Sequence, residues 1–538
     1  MASPLEVPVL IVGGSLVGLS AGLLLAQHGV HSLVVERHSG TAIHPRAAHA
    51  TQRTMEIFRA AGLEAAIRVR SAQQFVQNGG VVEVQTLAGG ASREFIADLN
   101  AGIRDVSPCE RVFLSQDSLE PLIMERARQL GVDVRFSTEM MSLAEDSGGV
   151  TTQLRDRASG AALTLRSRYV IAADGAHSSV RRSLAIGLRG RPPFSKSVTI
   201  YFRANLRPFL TDRQWAVVYV SNPRLRGFFR FEKPFDRAFL VVNTEGDAAH
   251  PVTDVGTRLT PERAVDLVAC ALGSSGIPIA IDSIMHWEAQ AAVAEHLQTA
   301  RVFIAGDAAH VMPPTGGFGG NTGVQDAHNL AWKLARVLRA EAPAALLATY
   351  EAERRPVAAL SAEQAYTRYV LRTDPSLGPE GCEPLVSDLD IELGYVYRSS
   401  SILTETPDDG AAHLSPRESR ARPGTRAPHL WVERRGQRLS TLDLYDGRFV
   451  LLAGPNGGEW CRCARIAASE ESVALDISRP GTDGLEDPGG RLAEAHGIEA
   501  EGCVLVRPDG FVAWRACNAK GATVAAVRSA LAAAQGRG

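Results

Sequence analysis

Three short stretches of this sequence carry residues able to hold a phosphate or polyol ligand. In the first, Gly13-Gly14-Ser15-Leu16-Val17-Gly18 precedes Glu36. A glycine turn that opens a helix offers backbone N–H groups to a pyrophosphate. An acid after the next strand accepts hydrogen bonds from a ribose. Ser15 occupies the position of the usual second glycine, so the backbone there approaches a pyrophosphate less closely. The second stretch is Asp174-Gly175, a carboxylate and a glycine ending an apolar run. The third is Gly306-Asp307, in the same setting, where the carboxylate can hold a polyol hydroxyl. A rigid Pro313-Pro314 step and glycines at 316, 317, 319, 320 and 323 follow it. Asn321 and Thr322 lead into a helix, so this loop presents N–H groups that suit an anion or a ring oxygen. Each stretch alone is a common turn. Their order along one chain is much more specific.

Other candidates carry a bland alternative. Arg46 reads equally as a phosphate contact or a solvated loop arginine. Gln116 either caps the helix it starts or reaches a bound ring. Arg368 and Arg372 lie one helical turn apart, and a solvated face is the commoner reading for such a pair.

The elements that must position these residues follow from periodicity. Pro8–Val12 is a β-branched run suited to a buried parallel strand, with a helix over 16–27 and a second strand over 32–35. Val7–Ala26 is uncharged and long enough to span a bilayer, but Gly13, Gly14, Gly18 and Gly22 interrupt it. Strand, turn and helix is therefore the expected reading, without a membrane segment. Short apolar strands end at Ala173 and Ala305. The helix after Thr322 has apolar residues at 324, 327, 331, 334 and 338, on one face. Segments 197–203, 215–220, 227–231 and 238–243 are rich in Val, Phe, Tyr and Trp, and predict an inserted antiparallel sheet. Residues 374–428 are rich in Pro, Gly and Ser, a loop-dominated connection. Beyond it, 440–444, 449–453, 473–477 and 503–507 read as strands of a small α/β domain. Cys461 and Cys463 are spaced C-x-C rather than C-x-x-C, which argues against redox chemistry.

Composition narrows the function classes. Lys+Arg 57 against Asp+Glu 59 leaves a net charge of −2, with no basic field for nucleic acid. Seven scattered cysteines match neither a zinc site nor a disulfide framework, and a reducing cytoplasm is the expected compartment.

Taken together, the motifs resemble the class A flavin-dependent aromatic hydroxylases, most closely those that modify polycyclic aromatic polyketides. The likeness spans the chain. It implies an α/β fold with a Rossmann-like (GR2-type) FAD-binding domain, an inserted antiparallel substrate sheet and a C-terminal thioredoxin-like domain. The implied bounds are 1–183 for the first FAD part, with about 75–110 joining the substrate sheet. They continue as 184–285 for that sheet, 286–375 for the second FAD part, 376–428 for a linker and 429–538 for the tail. The resemblance implies noncovalent FAD held by Gly13, Gly14, Ser15, Leu16, Val17, Gly18, Glu36, Arg37, Arg46 and Gln116. It adds Asp174, Gly175, Gly306, Asp307, Pro314, Gly316, Gly319, Gly320, Asn321 and Thr322. NADPH is implied as a transient co-substrate and O₂ as the oxidant, the oxygen passing through a flavin hydroperoxide to a polycyclic phenol. Pro314 beside the flavin ring and Arg372 as an electrostatic aid to the substrate phenolate are the implied catalytic residues. The tail is expected to serve packing or homodimer contacts. Two alternatives keep the cofactor: oxygen insertion beside a ketone, and inactivation of an aromatic antibiotic. A third is a flavin-binding assembly protein without monooxygenation.

Overall fold

The computed structural model describes residues 5–44, 49–246, 250–256, 259–482 and 484–538. Strands Leu5–Val12, Ser32–Val35 and Asp133–Arg135 run parallel, and Leu5–Val12 also pairs parallel with Ala162–Ala172. Their Val, Ile and Leu side chains are buried, as expected for a sheet covered on both faces. The long strand 162–172 serves two neighbours. Its start pairs antiparallel with Gly149–Asp156, and its end pairs parallel with Val302–Ile304. Val12 is thereby in register with Val35 and Ala172, and Ala172 with Ile304. Four strands end together, so the three predicted motifs leave the sheet side by side. In open parallel sheets, ligands bind at such carboxyl ends. The uncharged stretch 7–26 divides between strand Leu5–Val12 and helix Leu16–Gln27. No helix among the described residues is long and apolar enough to cross a membrane.

A second sheet has eight strands. In order these are His310–Val311, Ala280–Ala294, Leu188–Arg203, Arg237–Glu245, Leu225–Glu232, Trp215–Ser221, Gly80–Val84 and Ala91–Ile96. Period-2 alternation sorts its side chains. Val198, Ile200, Phe202, Val218, Phe229, Leu240 and Val242 pack in one core with helix Pro261–Leu272. Tyr201, Phe239 and Val241, with Phe228, Met285 and Trp287, form a separate aromatic group. These alternate with the first set along each strand, so they line the other face.

The tail contains a four-stranded sheet in the order Leu475–Ser478, Phe449–Ala453, Cys503–Val506, Val512–Ala516. The first pair is parallel and the other two antiparallel, with helices Gly458–Glu470 and Val524–Ala534 packed together. This is the thioredoxin-like order. One expected strand is corrected: residues 441–444 form a 3₁₀ turn, because Ser440 and Asp443 make a reciprocal capping box.

The tail shares a core with the part built on the parallel strands. Trp332 meets Phe449 edge-on at 6.0 Å between centroids. Below that contact the Glu353 carboxylate, fully buried, accepts bonds from Lys333 at 2.8 Å and from both terminal nitrogens of Arg507 at 2.6 and 2.9 Å. Ser399 and Ser401, from the connection between the two parts, also donate to it. Burial would raise the Glu353 carboxyl, but Arg507 and Lys333 hold it well below the usual range.

Candidate active site

Gly13 turns the chain out of the first strand with φ +106°, a conformation that favours glycine. A Cβ there would lie 2.2 Å from the Ala173 carbonyl oxygen, and one on Gly18 only 1.8 Å from that of Gly13. These glycines let the turn, the helix and the strand end at 172 close together. Glu36 accepts the Gly14 N–H at 2.7 Å and the His38 N–H at 2.9 Å, which aims its carboxylate at the turn. Arg37, next to it, is exposed, and its carbonyl accepts a bond from Arg157.

A residue that sequence reasoning missed completes the turn. Glu120 is fully buried, and one of its oxygens accepts the Leu16 N–H at 2.8 Å, the Gln116 amide at 2.7 Å and the Ser15 hydroxyl. Its other oxygen accepts the Ala42 N–H at 2.7 Å. Ser15 thus has a bonding role that glycine could not fill. Gln116 neither caps its helix with its side chain nor stands alone. It bonds Ser15 at 2.7 Å and reaches Glu120 one turn on.

Asp174 uses one oxygen to accept the Ser179 and Val180 N–H groups, at 2.8 and 3.2 Å. Its other oxygen is buried without a partner. Gly175 beside it has φ +84° and open space where a Cβ would be. Arg181 then joins this motif to the third, donating to the Ala308 carbonyl at 2.8 Å. Gly306, with φ +61°, leaves no room for a Cβ, which would sit 2.8 Å from Val17. Its N–H goes to Asp326, which His310 and Arg354 also bond. Asp307 lies opposite Gly319, its carboxylate 4.0 Å from where a Cβ would project. The orphan Asp174 oxygen and the open space at Gly175 suit a ligand rich in hydroxyl and phosphate groups, and FAD is such a ligand.

Beyond the third motif, Pro314 precedes Gly316 and Gly317, with φ +86° and +65°. The helix starts earlier than expected, at Phe318, so Gly319, Gly320, Asn321 and Thr322 form its first turn rather than a loop. The Asn321 side chain is taken up internally, accepting the Thr51 N–H at 2.9 Å and donating to the Gly317 carbonyl at 2.8 Å. The Thr322 carbonyl accepts a bond from Arg354. His49 presses against Gly317, and burial, then Arg111 and Arg230, pushes its imidazole well down to the neutral form. Arg46 lies outside the described residues.

A cavity of about 480 Å³ adjoins this helix start, lined by Gln52, Ile96, Leu99, Arg111, Arg368 and Arg372. The solvated-face reading is corrected for Arg368, while Arg372 is half-buried. Arg368 is 2% exposed and bonds Asp388 at 2.6 Å, with its guanidinium over Phe318. Arg372 lies over Phe95 and makes no ion pair among the described residues. It bonds Tyr219, whose phenol burial pushes up while Arg372 pulls it down. Arg111, also missed, pairs with buried Glu392. Burial pushes the Glu392 carboxyl up to about 7, against the pull of Arg111.

Comparison with known proteins bears on this geometry. Residues 6–365 match the FAD binding domain family, and residues 420–538 match the C-terminal domain of aromatic-ring hydroxylases. A 4-methyl-5-nitrocatechol 5-monooxygenase from Burkholderia sp is 50% identical over 95% of this chain and 94% of its own length. Aklavinone 12-hydroxylase of Streptomyces purpurascens is 38% identical, with 95% of each chain covered. The structure of an aklavinone-11 hydroxylase with FAD and aklavinone superposes with a TM-score of 0.91, at 36% identity and 99% coverage of both chains. The chain therefore belongs to the FAD-dependent aromatic-ring monooxygenases.

Proposed function

We propose that the enzyme hydroxylates a polycyclic aromatic phenol beside its hydroxyl group, with NADPH as electron donor. FAD supplies the redox chemistry and the activation of O₂ when bound. The protein's part is to hold the ring, exclude water and favour the phenolate. The observation that carries this reading is Arg372, on the cavity wall and in no ion pair among the described residues. A guanidinium there favours the anionic phenol by attraction. Gly13, Gly14, Gly18, Glu36, Asp174, Gly175, Gly306 and Asp307 would bind the cofactor, and Pro314 would pack beside its ring. Seven cysteines without a disulfide among the described residues suit a reducing cytoplasm.

A second reading has its own support. The 50% identical relative is named for a nitrocatechol, a single acidic ring, whereas the aklavinone hydroxylases are named for a polycyclic one. Both kinds of ring carry an acidic phenol, which suits a cationic wall. Mass spectrometry of products formed under ¹⁸O₂ from a panel of polycyclic phenols and nitrocatechols tests the proposal. One labelled oxygen in a polycyclic product is expected. A labelled product from nitrocatechols alone selects the second reading, and H₂O₂ alone from every phenol overturns both.

A further inference from the structure

We infer that Gln52 is a substrate-recognition residue, and that its cavity selects aromatic rings bearing a hydroxyl group next to a second, acceptor oxygen. This rests on the hydroxylase reading and narrows its substrate class.

Gln52 begins helix Gln52–Ala60, next to Thr51, whose N–H is bound by Asn321. It is 1% exposed. Its side-chain oxygen is buried with no partner. A buried carbonyl oxygen without a bond is costly, and native proteins rarely leave one unless a ligand or water completes it. The same cavity wall holds two further orphans. Arg111 and Arg368 are 5% and 2% exposed, and the Nε atom of each lacks a partner. Their terminal nitrogens, in contrast, are engaged by Glu392 and by Asp388.

These groups define a complement. The Gln52 oxygen needs a donor, while the Nε–H groups of Arg111 and Arg368 need acceptors. An isolated phenolate supplies only acceptors. A catechol that has lost one proton supplies an O–H beside an anionic oxygen, and a hydroxyl beside a quinone carbonyl supplies the same pair. Asp388, on the same wall, is held below the usual carboxylate range despite burial, by Arg111 and then Arg368. It therefore remains an anion that accepts from Arg368. Arg372, in no ion pair among the described residues, is then the cation for the ligand's acidic oxygen.

The test uses the FAD-loaded enzyme and two probes, 4-nitrocatechol and 2-methoxy-4-nitrophenol. Both carry a phenol acidified by the nitro group, but the second has a methyl ether in place of the donor hydroxyl. Their dissociation constants are read from the perturbation of the flavin spectrum. In wild type, nitrocatechol is expected to bind at least about tenfold more tightly, because a site built for a hydroxyl rejects its absence. Gln52→Leu should bring that ratio close to one while keeping FAD and the melting temperature. A ratio near one in wild type overturns the inference. So does a ratio that survives in Gln52→Leu, since mere crowding by the methyl group would persist there. If Gln52→Leu fails to retain FAD, Gln52→Met takes its place with the same two outcomes. Product analysis separates this from the activity itself. Hydroxylated product with a flat ratio sinks only the recognition role, whereas a collapsing ratio without hydroxylated product sinks only the hydroxylase reading.

Discussion

The turn around Glu120 and the cavity beside Gln52 are both built from buried polar side chains, yet they are finished differently. At the turn, every carboxylate oxygen is used. Glu120 alone collects bonds from Ser15, Leu16, Ala42 and Gln116. In the cavity, Gln52, Arg111 and Arg368 each keep a buried atom without a partner. Saturation makes a scaffold, since a satisfied network is rigid and gains nothing by opening. Orphans mark a place where the missing partner arrives from outside. On this contrast, substitutions at the turn should act through stability and FAD retention. Those in the cavity should act on the substrate and leave FAD alone.

The largest effect should come from Glu120→Ala. Hydrogen bonds to a charged group contribute ~1.5–3 kcal/mol each, and four donors would lose their acceptor. A stability loss of roughly 3 kcal/mol or more is expected, with FAD released on gel filtration. A variant that melts like wild type and keeps its flavin would break the contrast at its strongest point.

Asp307→Ala should follow. Loss of one carboxylate-to-hydroxyl bond corresponds to ~1.5–3 kcal/mol, or about a 10- to 100-fold rise in the FAD dissociation constant. An unchanged constant in a folded variant removes Asp307 from the ligand set. Arg372→Gln should leave that constant untouched. It should instead lower coupled hydroxylation about tenfold, of the order of 1.4 kcal/mol in the barrier, and send more NADPH to H₂O₂. Raising the pH should partly restore it, because the phenol then ionises unaided. Matched coupling and pH profiles in variant and wild type would return Arg372 to a plain surface role.

Glu392 supplies the pH test. Its folded value, about 7, lies above the ordinary 4.5. The native state therefore holds its proton longer than the unfolded state does. Its contribution is full below the unfolded value and is lost as pH rises through 7. Wild type should lose stability relative to Glu392→Gln by at most about 1.4 kcal/mol per pH unit across that window. A difference that stays constant from pH 5 to 8 would show that Arg111 keeps Glu392 ionised throughout.

The uneven legibility of the sequence has a physical cause. The strand–turn–helix at Gly13, the Asp174 and Gly306 turns and the alternating sheet all rest on local spacing, and each stands where periodicity placed it. Glu120, Gln52 and Arg111 gain their meaning from distant partners. Glu120 lies 105 residues from Ser15, and Arg111 lies 281 from Glu392. Arg368 looked solvated because helical spacing does not reveal what covers a face. The early start of the helix at Phe318 escaped notice because glycine-rich segments usually read as loop. Ser440 to Leu444 misled because its apolar alternation resembled a strand until Asp443 closed the capping box.

The smallest effect belongs to the tail, where the question is whether the thioredoxin-like order brings thioredoxin chemistry. Cys461 and Cys463 both lie on helix Gly458–Glu470, and both are buried, as is Cys503 on the neighbouring strand. Burial raises the Cys463 and Cys503 thiols, so neither is the exposed, lowered thiolate that attacks a disulfide. The tail instead reaches the FAD-binding part through Arg507, whose guanidinium is locked on Glu353 and Asp509. Cys461→Ser and Cys463→Ser should therefore leave hydroxylation and coupling at wild-type values. Each should cost roughly 1 kcal/mol of stability, the low end for placing a hydroxyl among apolar neighbours. A double variant that folds and keeps FAD but loses turnover would make the tail a redox partner. It would also end the division between a saturated scaffold and an open, substrate-reading cavity, because a third region would then carry chemistry.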